Sequence, residues 1–319
     1  MTRSVPPPST ALALRGAAPQ LPPAFNVPAD LVEPAQRFLA SARALNTRRA
    51  READWAVFSA WCAARGRLAL PAAADTIFSF LTEQAAALAK RPATLHRYLA
   101  SISTAHEGAG HPNPTRDARV TELVAGIRRE LGARQRKAAP LTLDLLEQVH
   151  PHCADPRAWA VLCFGQAMAA RRSELCSLDL EDVAIDERGA AVTIRRSKTD
   201  QESEGRVVGI RRRAQLCPVA ALERHLDCRG GAAGPLFSGR RVARMTTKDV
   251  DRMVKRAITA AGLDAAGFSA HSLRAGYVTD ERKRGRSWAE IMQHTGHVRL
   301  ETVRGYARYE VDPFERPEE

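Results

Sequence analysis

His271-Ser272-Leu273-Arg274 is followed by Thr295-Gly296-His297 and, nine residues past that histidine, by Tyr306 in Glu301-Thr302-Val303-Arg304-Gly305-Tyr306-Ala307-Arg308-Tyr309. Three apart, His271 and Arg274 share one face of a helix, and Gly296 reads as the end of another. Upstream lie Ala169-Ala170-Arg171-Arg172-Ser173-Glu174-Leu175 and Lys198, the latter in the polar hairpin tip Ser197-Lys198-Thr199-Asp200-Gln201-Glu202-Ser203-Glu204-Gly205. Ala191–Arg196 alternates apolar and polar residues as a strand does, and Val207-Val208-Gly209-Ile210 returns as its partner. Trp159–Ala170 reads as a buried helix. A further helix follows Thr246, with Val250, Met253, Val254, Ala257, Ile258 and Ala261 facing inward. Residues 141–319 therefore form a mixed domain, mainly α with a small β-sheet.

The preceding residues follow another pattern. Residues 1–28, with Pro6-Pro7-Pro8 and Pro22-Pro23, read as a disordered Pro/Ala-rich tail. Residues 29–131 form an all-helical domain. Thr47 caps a helix with Trp55, Phe58 and Cys62 on one side, and Asp75 caps another with Phe78, Leu81, Ala85 and Leu88 inward. Leu95, Tyr98, Leu99 and Ile102 mark a third helix, and Val120, Leu123, Val124, Ile127 and Leu131 a fourth. His111-Pro112-Asn113-Pro114 is a loop between them. Residues 132–140, Gly-Ala-Arg-Gln-Arg-Lys-Ala-Ala-Pro, make a basic linker with the composition of a phosphate-tracking segment.

A chain of 319 residues accommodates two domains, each large enough to bury a core. The formal charge of +12 points to a polyanionic partner. The surplus is concentrated early: residues 1–138 hold 19 Lys and Arg against 10 Asp and Glu, and residues 139–319 hold 29 against 26. Such a bias suits a module that grips phosphates. The six cysteines show no CxxC pair and no metal-ligand rhythm. Cys163, within the apolar run Trp159–Met168, reads as a core thiol in a reducing compartment. No apolar run approaches the ~20 residues of a membrane span, and no hydrophobic signal core stands at the N-terminus. A cytoplasmic, nucleoid-associated protein is the expectation.

Phosphodiesters resist cleavage because the attacked group is already anionic and the transition state gathers more negative charge. Without a metal, an enzyme must provide fixed cations, a positioned nucleophile and a proton donor for the leaving oxygen. The second domain contains such a set. No carboxylate–His cluster with ligand spacing appears, and His294, one turn before His297, has no third ligand nearby. Neither metal nor cofactor is expected.

Taken in order, these pieces resemble the signature of the tyrosine recombinases, the phage integrase family. They are an Arg three residues before Glu-Leu, a lysine in a β-turn, His-x-x-Arg, Gly-His, and a Tyr nine residues beyond that His. The match spans the second domain. The first resembles the family's helical, SAM-like core-binding domain, through Asn46-Thr47, Trp55, Phe58 and Trp61-Cys62. The resemblance implies that Arg171 and Arg274 clamp non-bridging phosphate oxygens and that Lys198 protonates the leaving 5′ oxygen. It further implies that His271 helps take the tyrosine's proton, that His297 donates to the phosphate, and that Tyr306 rather than Tyr309 attacks. Arg172 reads as a surface residue paired with Glu174. Arg48, Arg97, Arg134, Arg136, Lys137, Arg195 and Arg196 are candidate DNA contacts. Ala169 stands where the family often has Gly, and Thr295 where Leu is common; both read as packing positions.

By the same resemblance the product is a 3′-phosphotyrosyl link, resolved by a 5′ hydroxyl without metal or ATP. The partners implied are double-stranded DNA, clamped between two domains, and three further copies forming a tetramer on two sites. Accessory proteins that bend DNA or set direction would join them. A type IB topoisomerase-like nicking-closing enzyme and a catalytically silent DNA-binding regulator remain the alternatives.

Overall fold

A computed structural model describes residues 27–41, 45–132, 137–195, 205–231, 233–238 and 244–307. Lys198, Arg196, Arg134, Arg136, Tyr309 and the proline-rich run before residue 27 lie outside them. The chain divides into two compact units, Met1–Gln135 and Arg136–Glu319.

The first unit is helical: α1 (Ala29–Ser41), α2 (Leu45–Ala64), α3 (Ala74–Ala86), α4 (Pro92–Gly108) and α5 (Ala118–Leu131). Trp55, Phe58 and Cys62 of α2 are buried with Leu95, Tyr98 and Ile102 of α4, and with Val120 and Ile127 of α5. Phe80 of α3 sits at the centre, its ring 5.1 Å from Phe58 and 5.4 Å from both Trp61 and Tyr98. Tilted and edge-on aromatic contacts of this kind add roughly 0.5–1.5 kcal/mol each beyond burial.

That ring sets the phase of α3. The inward residues are Ile77, Phe80, Leu81 and Gln84, whereas Phe78 and Leu88 are exposed. The expected stripe was partly out of phase: Leu81 is buried and Ala85 packs partly against the core, but Phe78 and Leu88 face out. Asp75 is not the cap: the helix begins at Ala74, and Asp75 lies in its first turn, where it accepts from Arg67 at 2.9 Å and complements the helix dipole. Thr47 likewise falls inside α2. His106, which the hydrophobic pattern did not reveal, is wholly buried, its Nε2 accepting the Ala72 N–H at 2.8 Å and its Nδ1 donating to Ile102 O at 2.8 Å.

The second unit contains α6 (Leu143–Val149), α7 (Pro156–Ala167), α8 (Arg172–Ser177), β1 (Val183–Ile185), β2 (Gly189–Ile194), β3 (Arg206–Arg211), α9 (Pro218–Arg229), α10 (Thr247–Ala260), α11 (His271–Lys283), α12 (Trp288–Thr295) and α13 (Leu300–Arg304). The strands form an antiparallel sheet in the order β1-β2-β3. Ile194 pairs with Arg206, so the hairpin tip begins just beyond that pair. Strand β1, only three residues long, carries too short a pattern to be read from sequence.

Helix α7 is the hub. Every residue from Trp159 to Ala167 is buried, with α9, α10 and α11 packed around it. A helix covered on all sides shows no polar stripe. Helix α11 is buried nearly all round, from Ser272 to Glu281. Gly276 makes this possible, since a Cβ there would lie 1.9 Å from Leu141 O. Residues 139–141 run against the elements around α11, with Ala139 N donating to Gly267 O at 2.9 Å and Leu141 N to Ser272 O at 2.8 Å. The helix expected after Thr246 is α10, and Thr246 is its N-cap, in a reciprocal capping box with Asp249.

Helix α7 stops at Ala167, short of the Ala170 expected, because the chain reverses through Ala169 at φ +50°. A left-handed alanine costs roughly 1–2 kcal/mol. Ala169 is therefore a conformational position as well as a packing one, which gives a physical reason for glycine there. Ala169→Gly relieves that strain while losing a buried methyl, worth about 0.8 kcal/mol, and gaining unfolded-chain entropy of similar size. The expected change is within about 1 kcal/mol of zero. Ala160→Gly, equally buried but mid-helix, should cost about 2 kcal/mol. Denaturant titration of both variants checks this; equal losses would mean that Ala169 is unstrained.

Candidate active site

Four of the expected residues converge, three in direct contact and Arg171 by way of Gly296. Arg171 is the N-cap of α8; its N–H donates to Glu174 Oε2 at 2.9 Å and its Nη1 to Oε1 at 2.6 Å. Its Nη2 reaches Gly296 O, 3.3 Å away at the end of α12. Arg274, one turn into α11, has no solvent exposure. Its Nη1 donates to Ala169 O at 2.9 Å and its Nη2 to Thr295 O at 2.7 Å, while Nη2 lies 3.0 Å and Nε 3.3 Å from His297 Nε2. The strained turn at Ala169 thus supplies a carbonyl to the buried guanidinium. Burial above all, then Arg171 next to it, lowers Arg274 to about 10. It remains a cation at neutral pH.

Gly296 ends α12 in the left-handed region at φ +67°, and His297 follows it into the site. The His297 ring lies 5.2 Å from the ring of Tyr306, and Arg274 Cζ lies 5.8 Å from the Tyr306 centroid. Tyr306 is half-buried, its N–H bonded to Val303 O at 2.9 Å at the end of α13. Burial, followed by the charges of Arg274, Arg171 and Arg206, depresses His297 to about 3. His294 serves the fold: it stacks on Tyr277 at 4.4 Å and contacts Ala167 O through Nε2 at 2.9 Å. Among the described residues, no three His, Cys, Asp or Glu side chains form a group that could hold a metal.

His271 opens α11 and is exposed, one turn ahead of Arg274. Lys198 lies outside the described residues. Arg172 pairs with Asp251 at 3.3 Å, not with Glu174, whose carboxylate is taken by Arg171. Of the candidate DNA contacts, Arg97 is bound through Nε and Nη2 to the buried Asp54, at 2.9 and 2.5 Å. Arg195 pairs with Glu181 at 2.5 Å and Asp182 at 2.6 Å, and Arg48 is half-buried on α2. Lys137 is exposed, and its Nζ would lie 3.8 Å from a Cβ on Gly305, beside Tyr306.

One residue at the site went unread and another was misread. Arg206, at the start of β3, donates through Nη1 to His294 O, and its Nη2 lies 3.6 Å from Glu174 Oε2. Its Nε and Nη2 are buried without hydrogen-bond partners among the described residues. The only available signal was a charged residue opening the returning strand. Thr295 was read as packing, yet its fully buried hydroxyl lies 2.6 Å from His297 Nδ1. Burial would raise Glu174, but the Arg171 N–H, its charge and its guanidinium bond outweigh this and leave the carboxyl lowered. The result is an anion held behind three cations.

A Cβ on Gly296 would meet Arg206 Nε at 3.1 Å and Cζ at 3.2 Å. Gly296→Ala should lower the thermal midpoint by about 3–6 °C, from left-handed strain of roughly 1–2 kcal/mol plus displacement of that guanidinium. Gly262→Ala, at φ +75° in open space, should lose less; an equal loss would remove the contribution of Arg206.

His294 is lowered to about 4, chiefly by burial. The unfolded ring takes a proton near pH 6.5, so the stabilisation is complete above that pH and is lost as pH falls towards 4. Between pH 6.5 and 4.5, His294→Gln should lose about 2 kcal/mol less than the wild type. Parallel pH–stability curves would contradict this.

Residues 141–312 match the sequence profile of the phage integrase family. The chain is 33% identical over 288 residues to a protein of Selenomonas ruminantium named integrase/recombinase XerD homolog, covering 85% of this chain and 84% of the relative. Solved structures share the fold. The Tn1549 transposon integrase in complex with transposon right end DNA superposes with a TM-score of 0.63 at 16% identity, over 88% of this chain and 95% of that one. A lambda integrase dimer bound to a COC′ core site gives 0.61 at 18% identity, over 91% and 98%. With the arginine–histidine–tyrosine cluster set on this fold, the chain belongs to the phage integrase family, the tyrosine recombinases.

Proposed function

We propose that this protein is a site-specific DNA recombinase in which Tyr306 breaks and rejoins strands. The observation that carries the reading is a fully buried Arg274, cationic at neutral pH, beside the Tyr306 ring and His297, with Arg171 held one carbonyl away at Gly296. Neutral acceptors alone compensate a buried charge poorly, and a phosphate is an anion of the geometry that two arginine forks bind.

In this reading Arg171 and Arg274 hold the non-bridging oxygens of one DNA phosphate. Tyr306 Oη attacks phosphorus as its proton leaves, with His271, at the head of α11, helping to accept it. The P–O5′ bond breaks, giving a 3′-phosphotyrosyl ester and a leaving 5′ oxygen that Lys198 protonates to the hydroxyl. A free tyrosine, with a pKa of about 10, is a weak nucleophile at neutral pH; the adjacent cations stabilise its anion. Reversal by the same or a second 5′ hydroxyl reseals the strand. The broken bond's energy is kept in the ester, so ATP is not required, and the arginines carry the charge that a metal would otherwise neutralise.

The partner is double-stranded DNA, contacted along its backbone by Lys137, Arg134, Arg136, Arg195, Arg196, Arg48 and Arg97. Exchange between two sites requires four active centres and hence a tetramer, with accessory DNA-bending or directionality proteins where the site demands them. No helix among the described residues is long and apolar enough to cross a membrane, and a DNA substrate places the protein in the cytoplasm with the nucleoid.

The test uses labelled DNA fragments from this gene's own locus, incubated in EDTA with wild-type or Tyr306→Phe protein and denatured in SDS. Label should travel with wild type only, while the variant keeps its DNA affinity within about threefold, since one hydroxyl is lost. Label retained by Tyr306→Phe would contradict the nucleophile. A salt-sensitive complex without an adduct, persisting on pre-nicked DNA, would indicate a silent binder. Relaxation without exchange between two sites would indicate a nicking-closing enzyme.

A further inference from the structure

Thr295 is the last residue of α12, and its side chain is fully buried. Its Oγ1 lies 2.7 Å from Ile291 O and 2.6 Å from His297 Nδ1. The hydroxyl has one proton, and a carbonyl can only accept. The proton therefore goes to Ile291 O, and Oγ1 accepts from His297, which carries its hydrogen on Nδ1. The other ring nitrogen leads to the same assignment. Nε2 is 3.0 Å from Nη2 and 3.3 Å from Nε of Arg274, both obligate donors. A hydrogen on Nε2 would set N–H against N–H. Nη2 also lies 3.3 Å from Nδ1, the longer of its two approaches to the ring.

The charged groups around the ring oppose a second proton. Arg171 at the head of α8, Arg206 on β3 and Arg274 on α11 are cationic, while Glu174 of α8 is occupied by Arg171 and lies within ion-pair distance of Arg206. Tyr306, after α13, brings a neutral phenol. A leucine at position 295 would offer Nδ1 no acceptor.

We propose that Thr295 is a positioning residue for strand cleavage: its hydroxyl fixes His297 as the neutral Nδ1–H tautomer, so that the Nε2 lone pair faces the Arg274 guanidinium and holds it beside Tyr306. The proposal rests on the recombinase reading for its catalytic half and on hydrogen-bond chemistry for its tautomer. It changes the role expected of His297. With Nδ1 committed to Thr295, Nε2 donates to a phosphate only after gaining a proton; in the DNA-free protein it is an acceptor that aims an arginine.

The test compares full-length wild type, Thr295→Val (nearly isosteric, without the hydroxyl) and Thr295→Ser (hydroxyl kept). Proton–nitrogen correlation spectra of ¹⁵N-histidine-labelled protein at pH 7, with His297 assigned by its loss in His297→Asn, report which nitrogen is protonated. Single-turnover adduct formation on a pre-nicked suicide substrate reports cleavage, and the thermal midpoint checks folding. Wild type and Thr295→Ser should show Nδ1–H with bare Nε2. Thr295→Val should lose that signature and cleave about tenfold more slowly, as befits one lost orienting hydrogen bond, with Thr295→Ser restored to within about threefold. Nε2–H in the wild type would overturn the assignment. Normal cleavage by Thr295→Val, or no rescue by a folded Thr295→Ser, would overturn the positioning role. If wild type forms no adduct on any fragment while Nδ1–H is observed, the recombinase reading and the catalytic half fall together, and the tautomer stands.

Discussion

A guanidinium with no access to solvent is the constraint around which the second unit is arranged. Arg274 stays charged at neutral pH, and the groups directly bonded to it are two carbonyl oxygens and an imidazole, all neutral. Burying a charge without a direct counter-ion costs several kcal/mol even after relaxation. The fold offsets this with oriented dipoles and with the nearby Glu174 carboxylate. In the proposed reading, the charge that the fold leaves uncompensated is met by the DNA phosphate.

Each dipole has a structural origin. Ala169 O faces Arg274 because the chain turns through a left-handed residue just beyond the end of α7. Thr295 O faces it because α12 ends at the left-handed Gly296. Both turns therefore do more than reverse the chain: each ends a helix where its free carbonyl is needed. Arg206 and Arg171 tie the second turn to the start of β3 and the head of α8. The packing of α7 against α11 sets the first of these ends beside Arg274, and Gly276 lets residues 139–141 lie close enough to α11 to cover it.

Much of this was legible in the sequence. The resemblance placed Arg171, Arg274, His297 and Tyr306 in one site; Arg274, His297 and Tyr306 come into contact, and Arg171 reaches them through the Gly296 carbonyl. The helix after Thr246 and the β2–β3 hairpin followed from the spacing of apolar residues and from alternation. The misreadings have common causes. In α3 the stripe was drawn through Phe78, but the phase is set by Phe80 finding three aromatic neighbours that sequence alone does not place. Ala169 and Thr295 were read by size, whereas what matters is a backbone angle in one case and a hydroxyl in the other. Arg206 was invisible because its significance depends on what lies across from it, at the end of α12.

The central claim is that this buried cation serves a phosphate under attack by Tyr306, and mass spectrometry of the covalent DNA complex tests it most directly. Trypsin cuts after Arg304 and Arg308, so Gly305–Arg308 contains Tyr306 while Tyr309 falls in the next peptide. After nuclease treatment, the account predicts a residual nucleotide mass on Gly305-Tyr306-Ala307-Arg308. The same mass on the peptide beginning at Tyr309, or on any other peptide, would contradict it.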